Sequence, residues 1–494
     1  MNITFLGHAG LYIETEDCRV ICDPWHFDNP VFFDSWYVYP DNSQLNWEKY
    51  LTSADYIYIS HAHEDHLDRT LLKKLVSVNP DATIVLPDYR HNTLYLALRG
   101  LGFRKFVTGE VKVGKTSLVT YVSETVDRER EDSELLVDDG NRTFLNVNDS
   151  TVLSEHKKDI FDRFGKVDLM ACQFSGASFY PLSYGYEEEH MLTLCANHRK
   201  RAAERFLSVY KDVGASKAVL TAGPPCFLEE GMTHLNFFGD NASIFPDSWQ
   251  VKEFDEDDTI YRILPGDSFT FESLVDRKEG PDKKKFISEN LRTSEYNTPI
   301  SNEEYSRAKI SFLESSQRLM KASRWLYGKI SEKVYLSVDG FETFRFCFKR
   351  GVIKQEPIDR SERYYVLNMP SRVFSELIEH ESTDWEDALL SCRCRLERNP
   401  DRYNPFILGF FRNMSASRQY DIQYSSSQDI DLDEVLEVDG RKVKRYCPHQ
   451  KFDLKYHGKV DLEANTITCL GHGWTWDLDT GEGVNVVCSL SCEE

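Results

Sequence analysis

The chain has 494 residues, of which 41% are hydrophobic, and this predicts about three globular domains with sizeable cores. Its formal net charge of −22 argues against a nucleic-acid or anionic-membrane surface, because both require clustered positive charge. The sequence shows neither an apolar run long enough to span a bilayer nor a basic, cleavable leader, so we expect a cytoplasmic protein. Its twelve cysteines are scattered, which favours metal ligands or single thiols over a disulfide framework.

The first 275 residues mix strands and helices in a pattern typical of a layered α/β domain. Alternating apolar residues predict an opening hairpin that ends at Asp23-Pro24-Trp25. We therefore predict one domain over 1–275. After the hairpin, its strands are predicted at 56–60, 83–86, 144–149, 169–172 and 218–220, and its helices at 69–78, 91–98 and 196–213.

Two polar segments divide the rest of the chain. Residues 275–305 are charged and contain Gly and Pro, and residues 415–433 are rich in Ser, so both are predicted to be linkers. Between them we predict an α+β domain over 290–415, and after them a small all-β domain over 425–494. The α+β elements are predicted as helices at 307–331 and from 371, and strands at 333–338, 343–348 and 364–368.

Four candidate metal ligands follow the strand predicted at 56–60. They are His61, His63, Asp65 and His66, within the sequence SHAHEDHL. A straight strand could not direct alternate residues at one ion, but a loop leaving the strand can direct them at two. The segment therefore predicts a dinuclear metal site at the end of this strand.

This segment, with the opening hairpin and the Asp-Pro-Trp turn, resembles the metallo-β-lactamase fold, which has an αββα arrangement. The resemblance implies a carboxylate after a later strand that bridges the two metals, and Asp149 is its match. It also implies a third histidine at the first metal, but this sequence offers Glu124 there. The last ligand of the second metal is expected from a late loop, where His234 is the best match and His190 and His198 are weaker ones.

The resemblance thus implies a first metal held by His61, His63 and Glu124, and a second held by Asp65, His66 and His234, with Asp149 between them. A glutamate in place of histidine makes the site more anionic and favours iron over zinc. With a glutamate in place of this histidine, the sequence resembles the diiron oxygenases of the same fold. We therefore predict two irons, with Asp65, Glu124 and Asp149 as the catalytic carboxylates.

Two Cys/His pairs stand close together near the end of the chain. Cys447 and His449 form the first pair, and Cys469 and His472 form the second, with 19 residues between the two pairs. Two thiolates and two imidazoles can bind one zinc ion or a [2Fe–2S] cluster with one residue type on each iron. Because each loop offers one ligand of each type, the segment resembles a Rieske domain more than a zinc finger.

The combination resembles the CMP-N-acetylneuraminate hydroxylase family, which joins a Rieske domain to a metallo-β-lactamase-like domain. The segments DYIYISHAHEDHL, FLNVNDST and DLMACQFSGASFYP match that family in order. That family has its Rieske domain at the N-terminus, whereas here the Rieske motif is C-terminal, so its substrate is not carried over. Residues 290–415 loosely resemble a sterol-carrier-like fold.

Three functions remain open from the sequence. The first is an O2-dependent monooxygenase that hydroxylates or oxidises a small molecule at a diiron centre. Its Rieske cluster would pass on electrons from NAD(P)H, supplied by an external reductase or ferredoxin. The second is an electron-transfer or O2/NO-reducing diiron protein without an organic substrate, and the third is a dinuclear zinc hydrolase. We expect no nucleic-acid or membrane partner, and the sequence leaves a homo-oligomer open.

Overall fold

The structure of the chain is a computed structural model. The described residues form two compact units. The first comprises those within 1–31, 36–177 and 195–292, and the second those within 32–35, 178–194 and 293–494. The described residues are 1–89, 92–123, 131–239, 241–252, 258–322, 327, 330–379, 384–412, 433–448, 454–469 and 474–492.

Strands and helices alternate through the N-terminal part of the chain. Its strands are β1 (Asn2–Gly7), β2 (Gly10–Glu14), β3 (Arg19–Cys22), β4 (Tyr37–Val38), β5 (Tyr56–Tyr58), β6 (Thr83–Leu86), β7 (Phe106–Thr108), β8 (Glu110–Val113), β9 (Thr116–Ser123), β10 (Asp132–Asp138), β11 (Thr143–Asn148), β12 (Leu169–Gln173), β13 (Lys217–Thr221), β14 (Pro225–Cys226), β15 (Phe237–Phe238), β16 (Asn241–Ala242), β17 (Ile260–Tyr261) and β18 (Ser268–Phe269). Its helices are α1 (Trp47–Ser53), α2 (Arg69–Val78), α3 (Thr93–Leu101), α4 (Ser154–Phe164), α5 (Glu188–Val213), α6 (Ser248–Lys252) and α7 (Lys283–Glu289), with a 3-10 helix over Thr233–Asn236.

Two seven-stranded sheets form the centre of the first unit as described. Their orders are β18-β1-β2-β3-β5-β6-β7 and β17-β13-β12-β11-β10-β9-β8. Phe5 and Leu11 of the first sheet pack with Leu118 and Val137 of the second in one apolar core. Burial of such side chains contributes roughly 1.5–3 kcal/mol each. The two sheets therefore lie face to face.

Helices cover the outer faces of both sheets. Leu51 of α1 and Leu72 of α2 belong to one core with Ile57 of the first sheet. Ile160 of α4 and Phe206 of α5 belong to another core, on the second sheet. The resulting layers are helix, sheet, sheet, helix, which is the predicted αββα arrangement.

The second unit contains a mixed sheet and two small antiparallel sheets. The mixed sheet has the order β21-β20-β19-β22-β23, and the small sheets are β24-β25 and β26-β27-β28. These strands are β19 (Lys333–Val338), β20 (Thr343–Cys347), β21 (Val352–Gln355), β22 (Tyr364–Met369), β23 (Arg395–Asn399), β24 (Val435–Val438), β25 (Arg441–Lys444), β26 (Gly458–Asp461), β27 (Thr466–Cys469) and β28 (Thr475–Asp477). The helices are α8 (Asn302–Ala322), α9 (Ser371–Glu379), α10 (Trp385–Leu390), α11 (Pro405–Arg412) and α12 (Leu454–His457).

Most predicted elements agree with these bounds, and the differences lie at ends and linkers. Helix α5 begins at Glu188, well before the predicted start at 196. The segment 275–305, predicted to be a linker, contains α7, which Asp282 caps by accepting a hydrogen bond from Lys285 N. Most of the Ser-rich linker at 415–433 lies outside the described residues. A capping aspartate can thus start a helix within a polar segment.

Two further observations concern the whole described chain. None of its helices in the described part combines the length and apolar character needed to cross a membrane. All twelve cysteines lie in the described residues, and none forms a disulfide.

Candidate metal centre

The loop after β5 carries the four ligands predicted from the sequence. Strands β3, β5, β6 and β7 run parallel, so their carboxyl ends meet at one edge of the sheet. The loop turns sharply at His63, whose carbonyl accepts hydrogen bonds from the backbone N–H groups of His66 and Leu67. This turn buries His61, Asp65 and His66. The side chains therefore converge below the surface rather than pointing into solvent.

His61, His66 and Asp149 form one cluster of candidate ligand atoms, all within 4.8 Å of one another. Asp149 follows the last residue of β11, as predicted, and its Oδ1 lies 3.7 Å from His66 Nε2. His63 adjoins this cluster, because its Nδ1 lies 2.8 Å from His61 Nε2. Such a group of nitrogen and oxygen atoms can hold one metal ion.

A second cluster shares His66 with the first. It contains His8, Asp65 and His66, whose candidate ligand atoms also lie within 4.8 Å of one another. Asp65 Oδ2 lies 3.1 Å from His8 Nε2 and 3.8 Å from His66 Nε2. His8 was not predicted as a site residue. The two clusters together provide adjacent positions for two metal ions.

Two carboxylates, the buried one of Asp23 and the half-buried one of Asp132, fix the orientation of the imidazoles. Asp23 Oδ2 lies 3.1 Å from His66 Nδ1, and Asp132 Oδ1 lies 3.3 Å from His61 Nδ1. Ser60 Oγ contacts both of these Nδ1 atoms, at 3.0 and 3.1 Å. A proton held on Nδ1 leaves the Nε2 lone pair for a metal ion, and a carboxylate partner raises its basicity. Neither Asp23 nor Asp132 was predicted to act at the site.

The charges in the centre depend strongly on one another. Burial lowers the pKa of the His66 imidazole, but the surrounding carboxylates, Asp65 foremost, outweigh this effect and raise it to about 10. Burial raises the pKa of the Asp65 carboxyl, yet His66 and His8 hold it well below its usual range. Burial raises the pKa of Asp149, and His66 and His61 offset only part of that rise. Carboxylates and imidazoles thus share one buried volume, a setting that favours cation binding.

Unsatisfied polar atoms test whether these residues fit a metal ion. His66 Nε2 and Asp149 Oδ1 are buried, and neither has a hydrogen-bond partner within the described ranges. Buried polar atoms are normally satisfied, so such a group at one place indicates a ligand. The imidazole and carboxylate donors suit iron, zinc or manganese alike. The residues therefore fit metal ions, without selecting one.

The remaining two predicted ligands of the centre are Glu124 and His234. Glu124 lies outside the described residues. His234 is exposed and belongs to neither cluster. The reason is the short 3-10 helix Thr233–Asn236, which buries Leu235 and Asn236 and leaves His234 on the outer side. The structure thus does not support His234 as the last ligand.

A cationic side chain lies beside the predicted bridge. The Arg205 guanidinium donates to the backbone carbonyl of Asp149 at 3.0 Å and to Gln173 Oε1 at 3.4 Å. Both acceptors lie at the ends of neighbouring strands, β11 and β12. Arg205 therefore fixes the loop that presents Asp149.

The second candidate site lies in the C-terminal part of the chain. Cys447 and Cys469 are fully buried in one core with Trp474 and Trp476. The backbone N–H of Cys469 donates to Trp474 O at 2.8 Å, which ties the end of β27 to the residue before β28. The predicted histidine ligands His449 and His472 lie outside the described residues. Two buried thiols within one small core fit a [2Fe–2S] cluster.

Family models match three parts of the chain. Residues 2–153 match a Beta-lactamase superfamily domain, residues 311–428 an Rv3818-like, SCP2-like domain, and residues 437–491 a Rieske [2Fe-2S] domain. The predicted fold class, including the sterol-carrier-like middle domain, is thereby confirmed. The Rieske domain makes the chain a redox protein with a [2Fe–2S] cluster. The exact predicted bounds, 1–275, 290–415 and 425–494, stay predictions.

Solved structures and shorter matches are more distant. CmlA, a diiron beta-hydroxylase from Streptomyces venezuelae, is 14% identical with a TM-score of 0.35, covering 54% of this chain and 53% of that chain. The isothiocyanate hydrolase from Delia radicum gut bacteria is 12% identical with a TM-score of 0.39, covering 55% and 99%. Likenesses at this level carry no argument about chemistry. The cytidine monophosphate-N-acetylneuraminic acid hydroxylase of Pongo pygmaeus is 39% identical over 93 residues, 19% of this chain and 15% of that protein.

Relatives of the same length are found in mycobacteria. A protein of Mycolicibacterium smegmatis named as a Rieske 2Fe-2S iron-sulfur protein is 31% identical, with 97% of each chain covered. The Rieske 2Fe-2S iron-sulfur protein Rv3818 of Mycobacterium tuberculosis is 32% identical, again with 97% of each chain covered. The chain therefore belongs to the family of these Rieske 2Fe-2S iron-sulfur proteins.

Proposed function

We propose that the chain is an O2-dependent monooxygenase that hydroxylates or oxidises a small molecule at a diiron centre. One observation carries the proposal: a Rieske domain and a buried centre of imidazoles and carboxylates occur in one chain. A Rieske cluster delivers single electrons, which a hydrolytic centre would not use. The partial match to the N-acetylneuraminic acid hydroxylase supports the same reaction class, but not its sugar-nucleotide substrate.

The residues of the chain contribute position and protection from water. His61, His63, His66, Asp65 and Asp149 would hold the metals, and Asp23 and Asp132 hold two of the imidazoles in orientation. Two irons bound there would take electrons from the Rieske cluster and use them to reduce O2. The burial of the ligands keeps reactive oxygen species away from bulk water.

The electron donor and the organic substrate are part of the proposal. We propose NAD(P)H as the electron source, with an external reductase or ferredoxin as the partner that reduces the Rieske cluster. The support for such a partner is the Rieske domain, because a Rieske cluster must be reduced by an electron donor before it can pass an electron on. The organic substrate is proposed only as a small molecule.

A dinuclear zinc hydrolase is the second candidate. The observation in its favour is that His61 and His66 each pair with a carboxylate, an arrangement that also suits zinc. Zinc would lower the pKa of a bound water and create a nucleophile. A hydrolase would leave the Rieske cluster without a role, so we rank this function second.

The proposal is tested with the full chain, reduced with dithionite and incubated with a small-molecule cell extract under ¹⁸O2. We expect iron in the N-terminal centre and a product that carries ¹⁸O, identified by mass spectrometry. Asp149→Ala and Cys469→Ser should each abolish that product. Cys488→Ser is the matched control, because this cysteine lies in the same small domain but is not a predicted ligand. Two zinc ions in the N-terminal centre, without ¹⁸O incorporation, would overturn the proposal in favour of a hydrolase.

A further inference from the structure

His8 lies on the tight turn between β1 and β2, where a buried histidine is unusual. Its φ is +51°, in the left-handed region, and the preceding Gly7 has φ +105°. A non-glycine residue held in that region costs of order 1–3 kcal/mol, and such strain concentrates at functional sites. A hairpin turn normally exposes its side chains, yet His8 is 3% exposed. The fold thus directs this imidazole inward.

Neighbouring residues hold the turn in this conformation. The side-chain amide of Asn42 donates to the carbonyls of Leu6 and Trp25, both at 2.7 Å. A Cβ at Gly7 would come within 3.0 Å of that amide, so the position accepts only glycine without a shift. The Trp25 ring meets the His8 ring edge-on, with centroids 5.0 Å apart. The imidazole is therefore fixed between Trp25 and the centre.

The His8 ring faces the other two members of its cluster, Asp65 and His66. Its Nε2 faces Asp65 Oδ2 at 3.1 Å, and its ring lies at 74° to that of His66. Asp23 Oδ2 contacts His66 Nδ1 on one side of the ring. On the other side, His66 Nε2 lies 3.8 Å from the same Asp65 Oδ2. Three donor atoms from three side chains thus surround one point.

The loop after β13 contacts the turn that carries His8. The backbone N–H of Ala222, directly after β13, donates to the carbonyl of His8 at 2.8 Å. This bond adds a further anchor to the turn and so to the position of the imidazole.

We propose that His8 supplies a nitrogen ligand, through Nε2, to the metal position formed by Asp65 and His66. The proposal concerns metal binding and holds whichever metal and reaction the centre uses. A role limited to orienting Asp65 by a hydrogen bond is the alternative that the experiment must separate.

The test uses the full chain with its Rieske cluster intact and oxidised, stripped of the other metals and titrated with Co²⁺. We expect wild type to bind two Co²⁺ ions, and His8→Gln to bind the second at least about 100-fold more weakly, because loss of a ligand exceeds the 10–100-fold typical of an orienting residue. At saturating Co²⁺, the proton NMR spectrum of His8→Gln should lack one exchangeable, hyperfine-shifted imidazole N–H signal that wild type shows. Unchanged circular dichroism and Rieske absorbance establish that the variant is folded.

His234→Ala is the competing variant in the same titration. We expect it to keep both Co²⁺ ions and every shifted imidazole signal. If His234→Ala loses the second ion while His8→Gln keeps it, the proposal is overturned. It is also overturned if His8→Gln keeps all the shifted imidazole signals, because His8 would then only orient Asp65. If His8→Gln does not fold, His8→Asn with added imidazole is titrated instead, and imidazole should restore the second ion.

Discussion

Asp23→Asn tests whether a buried carboxylate sets the metal affinity of His66. Asp23 is fully buried, its Oδ1 accepts from Ser60 N at 2.7 Å, and its Oδ2 lies 3.1 Å from His66 Nδ1. An asparagine can keep the first bond but places an N–H₂ group against His66 Nδ1–H. The ring relieves this clash by moving its proton to Nε2, which removes the lone pair needed by the metal.

The expected loss of metal affinity follows from the contact between Asp23 and His66. A hydrogen bond to a charged group contributes roughly 1.5–3 kcal/mol, which matches the 10–100-fold loss of affinity, about 1.4–2.7 kcal/mol, seen when such partners of metal ligands are replaced. We therefore expect Asp23→Asn to weaken binding at the position of His66 by about 10–100-fold. Chelator competition with Zn²⁺ or Co²⁺ measures this directly.

Asp68→Asn is the matched control. Asp68 is also buried and accepts hydrogen bonds from Leu71 N, His26 N and the Asn29 amide, but it does not contact the metal-centre histidines. An asparagine can keep the cap of α2 through Oδ1, but it places an N–H₂ group against the two donors that Oδ2 accepts from, the His26 N–H and the Asn29 amide. Its replacement should therefore lower stability and leave metal affinity unchanged. If Asp23→Asn binds metal as tightly as Asp68→Asn does, the orienting role assigned to Asp23 is wrong.

Two further predictions address the Rieske cluster and a buried ion pair. Cys469→Ser should abolish the EPR signal of the reduced Rieske cluster and leave the N-terminal metals in place, as metal analysis of the variant will show. Glu134 Oε2 lies 2.8 Å from His156 Nδ1. Burial lowers the pKa of His156, but Glu134 outweighs burial and raises that pKa above its ordinary 6.5. The stability that this ion pair contributes is therefore present below pH 6.5 and is lost as pH rises through the folded-state pKa of His156. Glu134→Gln should bring the NMR-measured pKa of His156 below 6.5 and destabilise the fold more at pH 6.5 than at pH 9, and an unchanged pKa would contradict this.

The local part of the centre could be predicted from the sequence, because its ligands are close together in the chain. His61, His63, Asp65 and His66 lie within one loop, so their spacing alone indicates metal binding. Asp149 was predicted because it directly follows a strand whose apolar pattern is clear. Local patterns thus identify residues that share one element.

The residues that were missed reach the centre across long stretches of chain. His8 meets Asp65 across 57 residues, and Asp23 meets His66 across 43. Asp132 follows an acidic segment with many carboxylates, so nothing in its spacing distinguishes it. The one available signal was His8 itself, a histidine between glycines on a hairpin turn that faces the same sheet edge. Only the packing of the strands brings these side chains together.

We expect the choice between iron and zinc to depend on Glu124, which lies outside the described residues. It directly follows β9, whose last residue, Ser123, pairs with Asp132, the partner of His61. A glutamate ligand at this strand end would lower the charge of the metal pair and favour the higher oxidation states of O2 chemistry. We therefore expect Glu124→His to keep the fold and shift metal preference towards zinc, while the Rieske cluster stays reducible. Metal analysis after growth with equal iron and zinc measures this preference, and a variant that still selects iron as wild type does would show that Glu124 does not determine the metal.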